Sequence, residues 1–360
     1  MDERIADIVV ETLIGKGITT CFSVVGGGAM HLNNAFVKAK NDIHTIYNHH
    51  EQACSMAAEG YARLTGRMAA VCVTSGPGGT NAINGVQGAW VDSLPMVIIS
   101  GHPRLDTTVA ATGLNIRTRG VQENDIITQV RSITKYAVQI KDPMQIRFEL
   151  EKAIYIAMEG RRGPVWIDIP LDIQGTLVEE TNLARFQRPV SQDELTKEEV
   201  DYFYEMLEDS KRPCILSGSG IRTSDAIENY RMFCNLVQIP IVGGSLQADI
   251  DYNEESLYYG MSGTMGPRCG NFILQNADLI LVLGNSLSTK QTGFNQEAFA
   301  PNAKIVMVDI QEDEGRKPGL HIDLMLHSDL NAFFKKVIAR SKIVKAPKRW
   351  IGYCDMVYKK

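Results

Sequence analysis

Residues 69–100 read AAVCVTSGPGGTNAINGVQGAWVDSLPMVIIS, and this stretch decides the fold. Ala69–Ser75 is an apolar run of strand length, and Gly76-Pro77-Gly78-Gly79 interrupts it. A helix is expected from Thr80 to about Trp90, and Met96–Ser100 reads as a second apolar strand. Two strands joined through a helix lie parallel. The crossover is right-handed, because a twisted strand feeding a helix packs back onto its sheet only that way.

The same alternation extends in both directions. Upstream, Ile5, Ile8, Val9 and Leu13 recur at helical spacing, and Thr20–Val25 reads as a strand ending at Gly26-Gly27-Gly28. A helix follows at Met30–Lys40, then a strand at His44–Asn48 and a helix from Glu51 to about Leu64, closed by Gly66. Downstream, Ala153–Met158 is helical and Val165–Ile169 is a buried strand. Periodicity fades over Gln174–Pro189. Two overlapping capping boxes, Ser191-x-x-Glu194 and Thr196-x-x-Glu199, then offer starts for the helix that carries Val200, Phe203, Tyr204 and Leu207. A second strand–helix series has strands at Cys214–Ser217, Ile239–Val242, Leu279–Leu283 and Ile305–Asp309, the first three ending in glycine. The expected fold class is α/β, with two doubly wound, mostly parallel-sheet domains. Their expected bounds are 1–175 and 196–345, with a linker at 176–195 and a lead-out at 346–360.

Composition limits the function. A chain of 360 residues, 44% apolar and 22% charged, is ordinary for a globular protein and long enough for two cores. The formal charge of −5, with no Lys/Arg block, excludes a nucleic-acid partner. No apolar run is long enough to span a bilayer, and the amino terminus MDERIADIVVETL starts acidic, unlike a signal peptide. A cytoplasmic location is expected. The seven cysteines (21, 54, 72, 214, 234, 269 and 354) form no CxxC pair, so reduced thiols are expected and no metal site. His49 and His50 are adjacent, and neighbours on an extended chain point apart, so they chelate poorly.

Two features carry chemistry. Glu51 stands where a β-run ends and a helix begins, the place where ligands bind in open α/β sheets. Small residues follow it (Ala53, Ala57, Ala58 and Gly60), which would let this helix pack closely. In Gly76-Pro77-Gly78 the absence of bulky Cβ atoms lets a planar ligand approach the backbone, and Asn81 adds a polar group at the next helix start.

In order along the chain, FSVVGGGAM (22–30), HHEQACSMAAEGYAR (49–63), TSGPGGTNAINGVQGAWVDSLPMVIISG (74–101), VQENDI (121–126) and RRGPVWIDIPLDIQ (161–174) resemble the pyrimidine-binding domain of thiamine-diphosphate enzymes, acetolactate synthase large subunits above all. RPCILSGSGI (212–221), YYGMSGTMG (258–266), NADLILVLGNSLS (276–288) and FAPNAKIVMVDI (299–310) are similar to that family's central domain. The resemblance implies that Glu51 hydrogen-bonds a ring nitrogen of the cofactor's aminopyrimidine. That bond favours the imino tautomer, whose nitrogen takes the thiazolium proton. It also implies that Gly76, Pro77, Gly78 and Asn81 wall the pocket, Gly26 meets the pyrimidine through its backbone, His50 is a near neighbour, and Gln122 lies close to the reacting carbon. The implied substrate is a 2-oxo acid such as pyruvate, and the implied assembly is a homodimer or homotetramer.

The sequence departs from the family at several points. Ser23 and Val25 stand where the synthases carry Gly and Pro, and Val121 replaces a Phe before Gln122. The stretch Asn285–Gly293 lacks the Arg- and Asp-rich pattern that helps hold flavin there. FAD is thus the weaker expectation, although Gly218, Gly220, Gly263 and Thr264 keep the look of a nucleotide cradle. No Gly-Asp-Gly occurs, the motif that holds magnesium and the diphosphate in this family. Trp350–Lys360 resembles the helical lead-in to the diphosphate domain. The expectation is therefore a chain without that domain, inactive by itself, with thiamine diphosphate and magnesium bound only in a completed form. Two rival readings are a non-catalytic binding or regulatory protein of the same fold, and a nicotinamide-dependent deacylase, because ADLILVLGNSLS also resembles part of a sirtuin.

Overall fold

The computed structural model describes residues 2–189, 195–251 and 257–359. The chain divides into two compact units, Met1–Val190 and Ser191–Lys360.

In the first unit the strands are β1 (Asp2–Arg4), β2 (Thr20–Ser23), β3 (His44–Tyr47), β4 (Ala69–Val73), β5 (Met96–His102), β6 (Tyr136–Gln139), β7 (Pro164–Pro170) and β8 (Leu177–Glu179). The helices that matter most are α1 (Ile5–Gly15), α2 (Met30–Lys38), α3 (Glu51–Thr65) and α4 (Pro77–Val91). Six strands form a parallel sheet in the order β3-β2-β4-β5-β7-β6. Successive side chains alternate between its faces, as the pleat requires. Ala70, Cys72, Val97, Ile99, Val165 and Ile167 join the core beneath α1 and α2. Ala69, Val71, Val73, Met96, Ile98 and Trp166 join the core beneath α3 and α4. Both faces are covered, which is why these strands read as continuous apolar runs.

The strand and helix expectations held for this unit, with shifts at the ends. Helix α4 starts at Pro77 rather than Thr80, so the Gly-Pro-Gly run is its cap and first turn instead of a preceding loop. Proline favours the first helical position, and Gly76 takes the left-handed φ of 58° that the entry needs. Gly66 closes α3 with φ 69°. Strand β6 carries no apolar run and went unforeseen. Residues 177–179, expected in the linker, form β8, which pairs antiparallel with β1.

The second unit contains β9 (Pro213–Ser217), β10 (Ile241–Gly243), β11 (Tyr258–Met261), β12 (Leu279–Leu283), β13 (Lys304–Asp309) and β14 (Leu324–His327). They form a parallel sheet in the order β11-β10-β9-β12-β13-β14. The edge strands β11 and β14 are short and mixed in composition, and were not foreseen. The Thr196–Glu199 capping box starts the helix Lys197–Asp209, whose Val200, Phe203, Tyr204 and Leu207 are buried. The Ser191–Glu194 alternative lies outside the described residues. The segment expected as a helical lead-out forms the helix Lys348–Tyr358, with Trp350 and Cys354 in the unit's core and the Trp350 indole donating to Pro213 O at 2.9 Å.

Candidate functional site

In the first sheet the connections run one way from β2 to β3 and the other way from β4 to β5. The crevice at such a reversal, at the carboxyl ends of the strands, is where open α/β sheets bind ligands. Three segments meet there: Gly26–Gly28 after β2, His50–Glu51 after β3, and Thr74–Asn81 after β4.

Glu51 opens α3 and its side chain is 9% exposed. The Asn81 amide donates to Oε2 at 3.0 Å. Oε1 accepts no hydrogen bond from the described residues. A Cβ added to Gly78 would stand 3.5 Å from that oxygen and 2.6 Å from Thr74 Cγ2. Glycine at 78 thus makes room for the Thr74 side chain beside the free carboxylate oxygen. His50 is exposed and caps α3, its Nδ1 accepting the Gln52 N–H at 3.1 Å, which leaves the ring proton on Nε2. Sequence reading treated it as a site neighbour; here it fixes the start of the helix that carries Glu51.

Helices α3 and α4 pack close enough to bring Glu51 and Asn81 together, and of the small residues expected to allow this Ala58 is buried in their shared core with Ala57 packed against it. Gly60 and Ala53 are exposed. The close approach is at Gly85, where a Cβ would come within 2.5 Å of the Ser55 backbone, and at Gly88, where it would meet the Glu59 carboxylate at 2.8 Å. Arg63 ties the far ends through Glu59 at 2.8 Å and Asp92 at 2.5 Å.

Gly26 and Gly28 lie against Thr74: an added Cβ would come within 2.4 Å and 3.0 Å of its side chain. Thr74 Oγ1 accepts the Gly28 N–H at 3.0 Å, and Asn33 accepts the Gly26 N–H at 3.2 Å. From the far side Gln174, fully buried, donates to Gly28 O at 2.8 Å and Ile169 O at 2.7 Å. Of the departures near this loop, Ser23 is buried and donates to Cys72 O, whereas Val25 is exposed. Gly76 faces Gln122, whose carbonyl oxygen would lie 2.6 Å from an added Cβ. The segments that meet here carry Gly26, His50, Glu51, Gly76, Pro77, Gly78 and Asn81, with Gln122 at the rim against Gly76. Thr74, Asn33 and Gln174 were missed as supports. Thr74 and Gln174 lay inside the quoted motifs, but nothing in their spacing marked them.

A second buried polar group lies farther along the sheet. Asp168 on β7 accepts from Ser100 Oγ at 2.6 Å and from Gln139 Nε2 at 2.9 Å, and the Trp166 indole donates to Ser100 Oγ at 2.8 Å. Burial pushes the Asp168 carboxyl up to about 6; the charge of His102 and the two hydrogen bonds only partly offset it.

The second sheet reverses between β9 and β12. There Gly218 N–H donates to Leu283 O at 2.9 Å and Gly220 N–H to Gly284 O at 3.0 Å. Gly263, with φ 99°, exchanges hydrogen bonds with the Asn271 amide, and Thr264 N–H donates to Lys290 O at 2.8 Å. Gln291 donates to Ser262 Oγ at 2.5 Å. The four residues expected as a nucleotide cradle follow β9 and β11, with β10 between them, and their N–H groups are engaged by the chain itself.

None of the seven cysteines forms a disulfide, and among the described residues no group of three or more His, Cys, Asp or Glu could hold a metal ion. Among the same residues no helix is long and apolar enough to cross a membrane.

With both crevices described, the likeness to known proteins is direct. The N-terminal TPP binding domain of thiamine pyrophosphate enzymes matches residues 3–130, and their central domain matches residues 200–337. The chain belongs to the thiamine pyrophosphate enzymes, whose N-terminal and central domains are its two units. Within that family it is similar to the acetolactate synthase large subunit of Lactococcus lactis subsp. lactis (strain IL1403), 32% identical over 348 residues. It is also 33% identical over 325 residues to the chloroplastic acetolactate synthase of Arabidopsis thaliana. These matches cover 96% and 89% of this chain but 59% and 47% of those proteins, so the chain spans less than two thirds of either. The sirtuin-like stretch 277–288 falls inside the central-domain match.

Proposed function

We propose that the first unit forms the pyrimidine half of a thiamine-diphosphate site in an acetolactate synthase-like enzyme acting on a 2-oxo acid. One observation carries this reading: the Glu51 carboxylate is fixed on one side by Asn81 and keeps Oε1 free beside Gly78. That oxygen is the acceptor a ring N–H of an aminopyrimidine requires. When bound, the cofactor supplies the electron sink for decarboxylation and carboligation. The protein's part is to hold the ring, orient it through Asn81-braced Glu51, and exchange a proton at Oε1. Gln122 stands at the rim, where it meets the reacting end of a substrate.

The diphosphate and its magnesium are assigned to groups other than those described, since a hard cation needs clustered oxygen ligands. The engaged amides at Gly218 and Gly220 weigh against FAD in the second unit. A homodimer or homotetramer is supported by exposed Met56, Leu64, Trp90 and Val91 on α3 and α4. Seven cysteines without a disulfide fit a cytoplasmic location.

The test is Glu51→Gln in an assembly completed with a diphosphate-binding domain. Gln keeps a hydrogen bond and loses the exchangeable proton, so activity falls below about a tenth of wild type with the fold retained. A variant that keeps its rate sinks the assignment.

A further inference from the structure

We propose that Glu123 is a positioning residue whose carboxylate clamps the segment between Val109 and Gly120 and so holds Gln122 against the Gly76 turn. Its significance for catalysis rests on the pyrimidine site proposed above; the clamp itself does not.

The segment from Ala110 to Arg119 contains no strand, and it leaves Leu114 and Ile116 exposed, as it does Val121 just beyond. Little apolar burial therefore holds it. Glu123 does so by accepting three backbone N–H groups, from Val109 to Oε1 at 2.7 Å and from Arg119 and Gly120 to Oε2, each at 3.0 Å. Its own N–H donates to Gly120 O at 3.2 Å, closing the loop on itself. Hydrogen bonds to an ionised carboxylate are about twice as strong as neutral ones. Burial raises the Glu123 pKa, but the Gly120, Val109 and Arg119 N–H groups and the His102 charge outweigh it, so the group lies below its ordinary value.

The residue just before the clamp is the one under strain. Gln122 has φ 55°, a left-handed conformation that a non-glycine residue holds only when its surroundings impose it. Across from it, Gly76 is the glycine into which the Gln122 carbonyl and Cβ fit, at 2.6 Å and 2.8 Å from the Cβ that glycine lacks. Release of the carboxylate removes what holds Gln122 in that conformation.

Amide exchange and NMR shifts on the 360-residue chain test this, in wild type, Glu123→Ala and Glu123→Gln. In Glu123→Ala, exchange at Val109, Arg119 and Gly120 speeds up by about tenfold or more. The Gly76 amide signal shifts too, because the Gln122 carbonyl and Cβ lie against Gly76. Glu123→Gln has one acceptor oxygen left. It keeps protection at Arg119 and Gly120 and loses it at Val109, a pattern that general loosening does not produce. The buried Trp166 signal reports that the unit stays folded, and Glu123→Gln decides the matter if the alanine variant does not. Thiamine at millimolar concentration adds a functional readout: Glu51 responds in wild type and Glu123→Ala alike, while the Gln122 response is lost in the variant. Unchanged exchange at the three amides overturns the clamp. An unchanged Gln122 response to thiamine in Glu123→Ala overturns its positioning role. Thiamine that perturbs nothing in wild type speaks against the pyrimidine site instead, and the exchange rates and Gly76 shift then decide the proposal.

Discussion

In the first unit the sheet reverses direction between β2 and β4, and in the second between β9 and β12. Both crevices are lined with glycines. Around the first, glycines 26, 28 and 78 pack on the Thr74 side chain and leave a carboxylate with one free oxygen. Around the second, Gly218 and Gly220 pack on the backbone of Gly284, where an added Cβ would come within 2.1 Å and 2.7 Å. A glycine at a strand end is thus no ligand signal by itself. What matters is whether it makes room for another part of the chain or for something beside an unsatisfied acceptor.

The most damaging way to probe that contrast is a methyl group in the second crevice. Gly218→Ala drives a Cβ into the Gly284 carbonyl, and backbone cannot rotate away as a side chain can. We expect the second unit to lose at least about 3 kcal/mol, read as a fall in its melting temperature. A neutral substitution would show that the crevice is open and the contrast false.

Acid–base chemistry distinguishes the units next. Asp168 in the first unit is raised to about 6, so its folded form prefers the proton. The stability this adds is complete below the ordinary carboxylate range, near pH 4, and is lost as pH rises through about 6, a span of about 2–3 kcal/mol. Asp168→Asn should flatten that part of the pH–stability curve for the first unit and leave the second unit's curve alone. An unchanged curve would mean that His102 compensates for the buried charge.

These experiments bear on what the sequence could convey. The strand–glycine–helix order of 69–100 made the parallel sheets legible, because burial on both faces leaves an unbroken apolar run. Glu51 was legible because its neighbours form a specific pattern, and Asn81 and Gly78 with it. Edge strands such as β6, β11 and β14 were not, since half-exposed short strands lack that run. Nor was the partner of each glycine: Gly60 looked like a packing surface and faces solvent, while Gly85, unremarked, sets the α3–α4 distance. Such pairings join residues tens of positions apart, and no local period encodes them.

A milder change asks whether the first crevice is held by shape or by hydrogen bonding. Thr74→Val keeps the branched surface on which Gly26 and Gly28 lie and removes the acceptor for the Gly28 N–H. The expected loss is about 1 kcal/mol, with faster exchange of the Gly28 amide. If that exchange stays slow, Gln174 holds the loop without Thr74.

The smallest effect decides between the crevices most directly. A ligand that binds the folded state stabilises it by an amount set by its concentration relative to its dissociation constant. The first crevice offers thiamine one free carboxylate oxygen, enough for a dissociation constant of roughly millimolar. No metal-ligating cluster among the described residues compensates for a diphosphate. Thiamine and thiamine diphosphate with magnesium should therefore act alike on the 360-residue chain, each adding about 0.4 kcal/mol to the first unit at 1 mM. FAD should leave the second unit unmoved, because the Gly218 and Gly220 amides that would meet its phosphates already donate to Leu283 and Gly284. Calorimetry gives the sharper form of the test. A dissociation constant below about ten micromolar for thiamine diphosphate would mean that this chain holds the phosphates itself, and a flavin absorbance band in the purified protein would mean that the second crevice opens.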